Sequence, residues 1–155
     1  MIRRLLCALV LVFLASGAAR AETRPFVRGS WADILAAHAG RPLVVHLWSL
    51  TCAPCLADLP RWREAQRRHP SMALVLVSTD AVTETPRLER ALQRAGLGGV
   101  EGWAFAESFV ERLRFEIDPG WHGELPITRL IAADGSARTV TGRVEESDLA
   151  AWLKR

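Results

Sequence analysis

Apolar residues fall along this chain in short blocks separated by polar turns. Leu43-Val44-Val45-His46-Leu47-Trp48, opened by Pro42, is apolar at nearly every position, the mark of a strand covered on both faces. Met72 to Val77 (MALVLV) is a second such run, ended by Thr79-Asp80. Between them, Ala53 to His69 places Leu56, Leu59, Trp62 and Ala65 at helical spacing, and Pro60 inside it predicts a kink. Upstream, residues 22–29 (ETRPFVRG) read as a short arm, and Ser30 is a candidate cap for a helix from Trp31 to Ala39 that Gly40 closes.

Downstream, Glu84 to Ala95 is amphipathic and stops at Gly96, and a short strand covers Trp103 to Ala106. Glu107 to Phe115 predicts a helix with Phe109 and Leu113 inward and Val110 beside them. Asp118-Pro119-Gly120-Trp121-His122-Gly123 is a loop by composition. Ile127 to Ala132 and Ala137 to Thr141 flank Asp134-Gly135, a hairpin signal, and Glu145 to Lys154 closes the chain as a helix. This alternation predicts an α/β fold: a central mixed β-sheet with parallel middle strands, helices on both faces, and an antiparallel hairpin at one edge. The 155 residues make one domain, with no internal repeat. Half the residues are apolar (50%) and 24% are charged, which excludes a disordered or fibrous chain.

The first 21 residues have a tripartite pattern. Met1-Ile2-Arg3-Arg4 is a short basic start, Leu5 to Ser16 is an apolar core, and Ala19-Arg20-Ala21 is a small-x-small cleavage signal. That pattern reads as a secretory signal peptide, residues 1–21, with a single domain over 22–155. A membrane anchor is the alternative, but the apolar core is shorter than the roughly 20 residues a span needs. Cys7 is expected to leave with the leader. The formal charge of +3 also changes, because setting aside Arg3, Arg4 and Arg20 leaves 17 basic against 17 acidic residues. No net-charge argument for nucleic acid or an anionic membrane survives that balance.

Cys52 and Cys55 then remain, in an export compartment such as the periplasm where disulfides persist. Cys52-Ala53-Pro54-Cys55 lies between a buried strand and a helix. A cysteine at a helix N-terminus meets the positive end of the dipole and free N–H groups, which favour thiolate. The spacing makes Cys52 the candidate nucleophile and Cys55 the resolving thiol, and Pro54 stiffens the first turn. A structural zinc site wants four ligands, and no second CxxC or His pair is present. A c-type haem site needs His after the second Cys, where Leu56 stands. A purely structural disulfide would close only a tiny loop and stabilise little.

With these motifs the chain resembles the thioredoxin superfamily, and within it the TlpA/ResA-like periplasmic thiol–disulfide oxidoreductases. The likeness spans roughly residues 25–155. It rests on Leu43 to Trp48, the CxxC, Leu59-Pro60, Leu125-Pro126-Ile127-Thr128, Leu130-Ile131, Asp134-Gly135 and Gly142. It implies a thioredoxin-like fold in which the long gap from Cys55 to Pro126 carries a TlpA-type β-α insertion. It implies a cis Pro126 beside the disulfide, leaving Leu125 with a free N–H and C=O that a substrate segment can join as an added strand. An ordinary trans proline starting an edge strand is the alternative.

Other positions follow from, or depart from, the same resemblance. Thr51 stands where the family usually has Trp before the first Cys, so it takes a place in the substrate-binding surface with Leu125, Pro126 and the loop residue Trp121. Asp80 falls where ResA-like proteins carry an acidic residue near the disulfide, and is either a general base for Cys55 or a capping residue. His46 replaces the buried acid of thioredoxins, and is either a proton relay to Cys55 or a neutral core residue. Arg129 replaces an aromatic or aliphatic residue and is expected at an edge or facing solvent. His122 is either a ligand or a surface residue.

The resemblance implies an enzyme that reduces protein disulfides, with electrons from a membrane donor of the DsbD/CcdA kind and with apocytochrome c or metal-site cysteines as typical substrates. It implies no cofactor. Two other functions compete: a periplasmic copper chaperone using Cys52, Cys55 and His122, since thiolates suit Cu(I), and a disulfide oxidase of the DsbA kind. Only Met72 remains as a methionine beyond the leader, which disfavours the chaperone.

Overall fold

The computed structural model describes residues 22–155; the leader and Cys7 lie outside it. Among the described residues, six strands form one sheet. They are β1 (Arg24–Phe26), β2 (Leu43–Trp48), β3 (Ala73–Ala81), β4 (Glu101–Phe105), β5 (Ile127–Ile131) and β6 (Ala137–Thr141), in the spatial order β1-β4-β3-β2-β5-β6. β1, β4, β3 and β2 run parallel, and β5 and β6 are antiparallel to their neighbours. The α-helices are α1 (Ser30–Ala37), α2 (Ala53–Arg68), α3 (Thr85–Arg94), α4 (Val110–Ile117) and α5 (Glu146–Trp152). Two β/α units, β3–α3 and β4–α4, separate α2 from β5, leaving room for the one extra β-α unit that the long Cys55–Pro126 gap implied.

β2 is buried at every position because helices cover both of its faces. Its alternation divides the core. Val44 and Trp48 point into a cluster with Cys55, Leu59, Trp62 and Leu130, whereas Leu43, Val45 and Leu47 point into one with Phe26, Leu113, Ile117 and Trp121. The sheet therefore separates a face that carries the cysteines from one that carries α4 and the loop after it.

Five local expectations are corrected. Residues 24–26 are not an arm but an edge strand, parallel to β4, with Phe26 fully buried. Ser30 does not cap α1: Gly29 holds that position with φ +90°, and the Ser30 hydroxyl accepts the Val27 N–H instead. Leu56 is on the outer side of α2, whose buried face runs Cys55, Asp58, Leu59, Trp62 and Ala65. Phe109 is 55% exposed, because α4 starts only at Val110 and turns Leu113 and Ile117 inward. Arg129 is neither at an edge nor free in solvent. β5 lies inside the sheet between β2 and β6, and the Arg129 side chain is partly buried against Asp118.

Candidate active site

The site begins where β2 ends. Ser49 to Cys52 form a tight turn, with the Cys52 N–H donating to the Ser49 carbonyl at 3.2 Å. Cys52 is the N-cap of α2 and Pro54 lies in the first turn, where its missing N–H costs nothing. Cys52 and Cys55 are joined as a disulfide with Cα atoms 5.2 Å apart. The Cys55 N–H donates to the Cys52 sulfur at 3.2 Å, so a helix-start amide already points at the atom that carries the charge when the bond is reduced. Cys52 is partly exposed and Cys55 is 0% exposed. Only the first sulfur is open to a partner. Thr51, directly before it, is exposed.

The Leu125–Pro126 peptide bond is cis. Leu47 pairs with Ile127, so β5 brings Pro126 alongside the end of β2, where the cysteine turn begins. Leu125 is partly buried and packs against both core clusters, the one containing Cys55 and the one containing Trp121. The Pro126 carbonyl accepts the Gly142 N–H at 2.8 Å.

Asp80 supports the cysteine turn. Its carboxylate accepts from the Leu50 N–H at 2.8 Å, the Ser49 hydroxyl at 3.1 Å and the Ser78 hydroxyl at 2.8 Å. Its two oxygens thus share three donors from two neighbouring strands' ends. These bonds tie Asp80 to the turn that leads into Cys52.

Trp121 lies elsewhere than expected. It is not presented to a partner but lies in the core under α4, its indole Nε1 donating to the Glu124 carbonyl at 2.9 Å. His122, beside it, is exposed. Among the described residues, no three or more His, Cys, Asp or Glu side chains are grouped to hold a metal.

His46 is fully buried on the cysteine face. It sits opposite Thr128 on β5, with Nδ1 2.9 Å from the Thr128 hydroxyl and its ring 5.1 Å from that of Trp62. Burial pushes its pKa down to about 3. Sequence reasoning missed Asp58, one helical turn beyond Cys55. Its carboxylate is buried, which raises its pKa, while Arg143 Nε at 3.3 Å and Arg61 Nε at 3.7 Å oppose that shift. The available signal was a single acid on the face Cys55-Asp58-Leu59-Trp62.

No protein-family model and no curated protein matches the chain. Solved structures do share its fold. A secreted Mycobacterium tuberculosis disulfide oxidoreductase homologous to E. coli DsbE superposes with a TM-score of 0.60 at 17% identity, over 77% of this chain and 84% of that one. A thiol:disulfide interchange protein of the thioredoxin family from Chlorobium tepidum gives 0.60 at 19%, over 77% and 82%. StoA from Bacillus subtilis gives 0.52 at 22%, over 74% and 83%. The chain therefore has the thioredoxin-like fold, and its structural neighbours are thiol–disulfide oxidoreductases.

Proposed function

We propose that this protein is a thiol–disulfide oxidoreductase that reduces protein disulfides in the periplasm. The observation that carries this reading is the Cys52–Cys55 disulfide at the start of α2, with one accessible sulfur and one buried sulfur, on a sheet that also bears a cis Leu125–Pro126 bond. In the reduced protein, the Cys52 thiolate attacks a substrate disulfide and one substrate sulfur leaves as a thiolate. Cys55 loses its proton and attacks the Cys52 sulfur, and the second substrate sulfur leaves. The substrate gains two electrons and the protein ends as the disulfide. A substrate segment is held by pairing with the Leu125 backbone, with Thr51 and Pro126 beside it.

The periplasmic location is supported by the signal-like residues 1–21. A neighbour described as a secreted disulfide oxidoreductase supports an exported protein with exchange chemistry. Reduction of apocytochrome c or metal-site cysteines, with a membrane donor of the DsbD/CcdA kind, completes the reading.

The direction is tested by the equilibrium reduction potential of Cys52–Cys55. A value near or below thioredoxin's roughly −270 mV is expected, and one near DsbA's roughly −120 mV would reverse the direction. The chemistry is tested by substitution. Cys52→Ser abolishes turnover of a disulfide substrate, and Cys55→Ser accumulates a mixed disulfide that non-reducing gels detect. Full turnover by Cys52→Ser would refute the mechanism.

A further inference from the structure

The loop from Asp118 to Leu125 is tied down at its origin by a polar cluster that the chemistry of the cysteines does not need. Arg129 on β5 and Thr139 on β6 are direct cross-strand partners. The Asp118 carboxylate lies over both. Arg129 Nη1 donates to Asp118 Oδ2 at 2.8 Å, the Thr139 hydroxyl donates to the same oxygen, and Arg129 Nη1 also reaches the Thr139 hydroxyl. The second oxygen, Oδ1, accepts the Gly120 N–H at 2.9 Å, inside the loop. The two charged side chains are 18% and 19% exposed, so this pair is screened less than a surface ion pair. The Thr139 hydroxyl, the Gly120 amide and Arg129 together hold the Asp118 carboxyl below its usual range.

The far end of the loop is fixed to the same strands. Leu125 leads through the cis Pro126 into β5, and the Pro126 carbonyl takes the Gly142 N–H just past β6. In the middle, Trp121 is buried in the core and its indole N–H closes on the Glu124 carbonyl. Leu125 is thus held between the cis proline that leads into β5 and a loop whose origin, Asp118, is clamped to Arg129, four residues beyond Leu125.

We propose that Asp118 and Arg129 are positioning residues that set the Leu125 backbone for an incoming polypeptide strand, and so select peptide disulfides over small ones. This deepens the exchange reading above and depends on a substrate strand pairing at Leu125. A strand that pairs with one residue's N–H and C=O is sensitive to small displacements of that residue, because hydrogen bonds weaken steeply with angle and distance. A small disulfide with no backbone to pair reaches Cys52 without using Leu125.

The experiment compares two substrates, a disulfide-bridged peptide and hydroxyethyl disulfide, for the wild type, Asp118→Asn, Arg129→Met and the double variant. We expect KM for the peptide to rise about tenfold in each single variant with kcat little changed. The double variant should be no worse than either single, since both remove one interaction. Reduction of hydroxyethyl disulfide and the Cys52–Cys55 potential should not move. Arg129→Lys, which keeps the charge, should recover part of the loss. An unchanged peptide KM, or an equal loss on both substrates, would overturn the clamp while leaving the exchange reading intact. A wild type that reduces neither disulfide would overturn both. Thr139→Val removes a hydroxyl but keeps the ion pair, and serves if the charge variants fail to fold; it should shift the peptide KM in the same direction by less, and no shift would count against the clamp.

Discussion

At the scale of single residues, His46 shows how burial settles a chemical question. Its imidazole is enclosed between Thr128 and Trp62, and desolvation keeps it neutral down to about pH 3. Such a group is a poor acceptor for a thiol proton at neutral pH, so the position acts as a core residue with a polar edge rather than a relay. The same shift has a thermodynamic consequence. In the unfolded chain the imidazole titrates near 6.5, so between pH 6.5 and about 3 the unfolded state binds more protons than the native state. The His46 contribution is fully present above pH 6.5 and is lost as pH falls through that window, at about 1.4 kcal/mol per pH unit. Urea unfolding at pH 7 and pH 4.5 should show this loss, and His46→Asn, which does not titrate, should flatten it. An acid limb equally steep in the variant would mean that other groups carry the dependence.

At the scale of elements, the reach of the sequence depends on how many residues report the same thing. β2 and α2 are legible because six consecutive apolar-type positions and a capped, periodic helix agree. β1 is not, since three residues with one buried position carry no period to read. Trp121 and Phe109 fail for another reason. Both are aromatic residues flanking α4, and their burial follows the bounds of that helix, which are set by its Leu113 and Ile117 packing into the core that holds Phe26. The CxxC and Pro126 were visible as motifs, but the attachment of Asp80 to the turn before Cys52 needed β3 to run on to Ala81, four residues past the apolar run. That attachment predicts a cost. Asp80→Ala leaves the partly buried Leu50 N–H and Ser49 hydroxyl without their acceptor, a loss of about 1–3 kcal/mol that denaturant unfolding would measure. A pH profile of Cys55-dependent resolution unchanged in Asp80→Asn would agree with a supporting carboxylate; a profile that loses its acid limb, together with a slower rate at neutral pH, would make it the base.

At the scale of the whole molecule, the sheet is a partition. β1 completes one edge by placing Phe26 against Phe105 and Trp103, with ring centroids 5.5 and 6.2 Å apart. Phe26→Ala should therefore cost about 3–5 kcal/mol, read as a lower urea midpoint. A change below about 0.5 kcal/mol would return residues 24–26 to the role of a surface arm.

The partition also separates two kinds of inherited change. The nucleophile and its helix rest on one core cluster, and the loop that leads to Leu125 rests on the other. On the proposed function, substitutions on the first side would alter how strongly the sulfurs hold electrons. Those on the second would alter which polypeptides the proposed Leu125 edge admits. Since, among the described residues, only Leu125 packs against both, the proposed function lets clientele and redox poise change independently as long as that one shared side chain keeps its place.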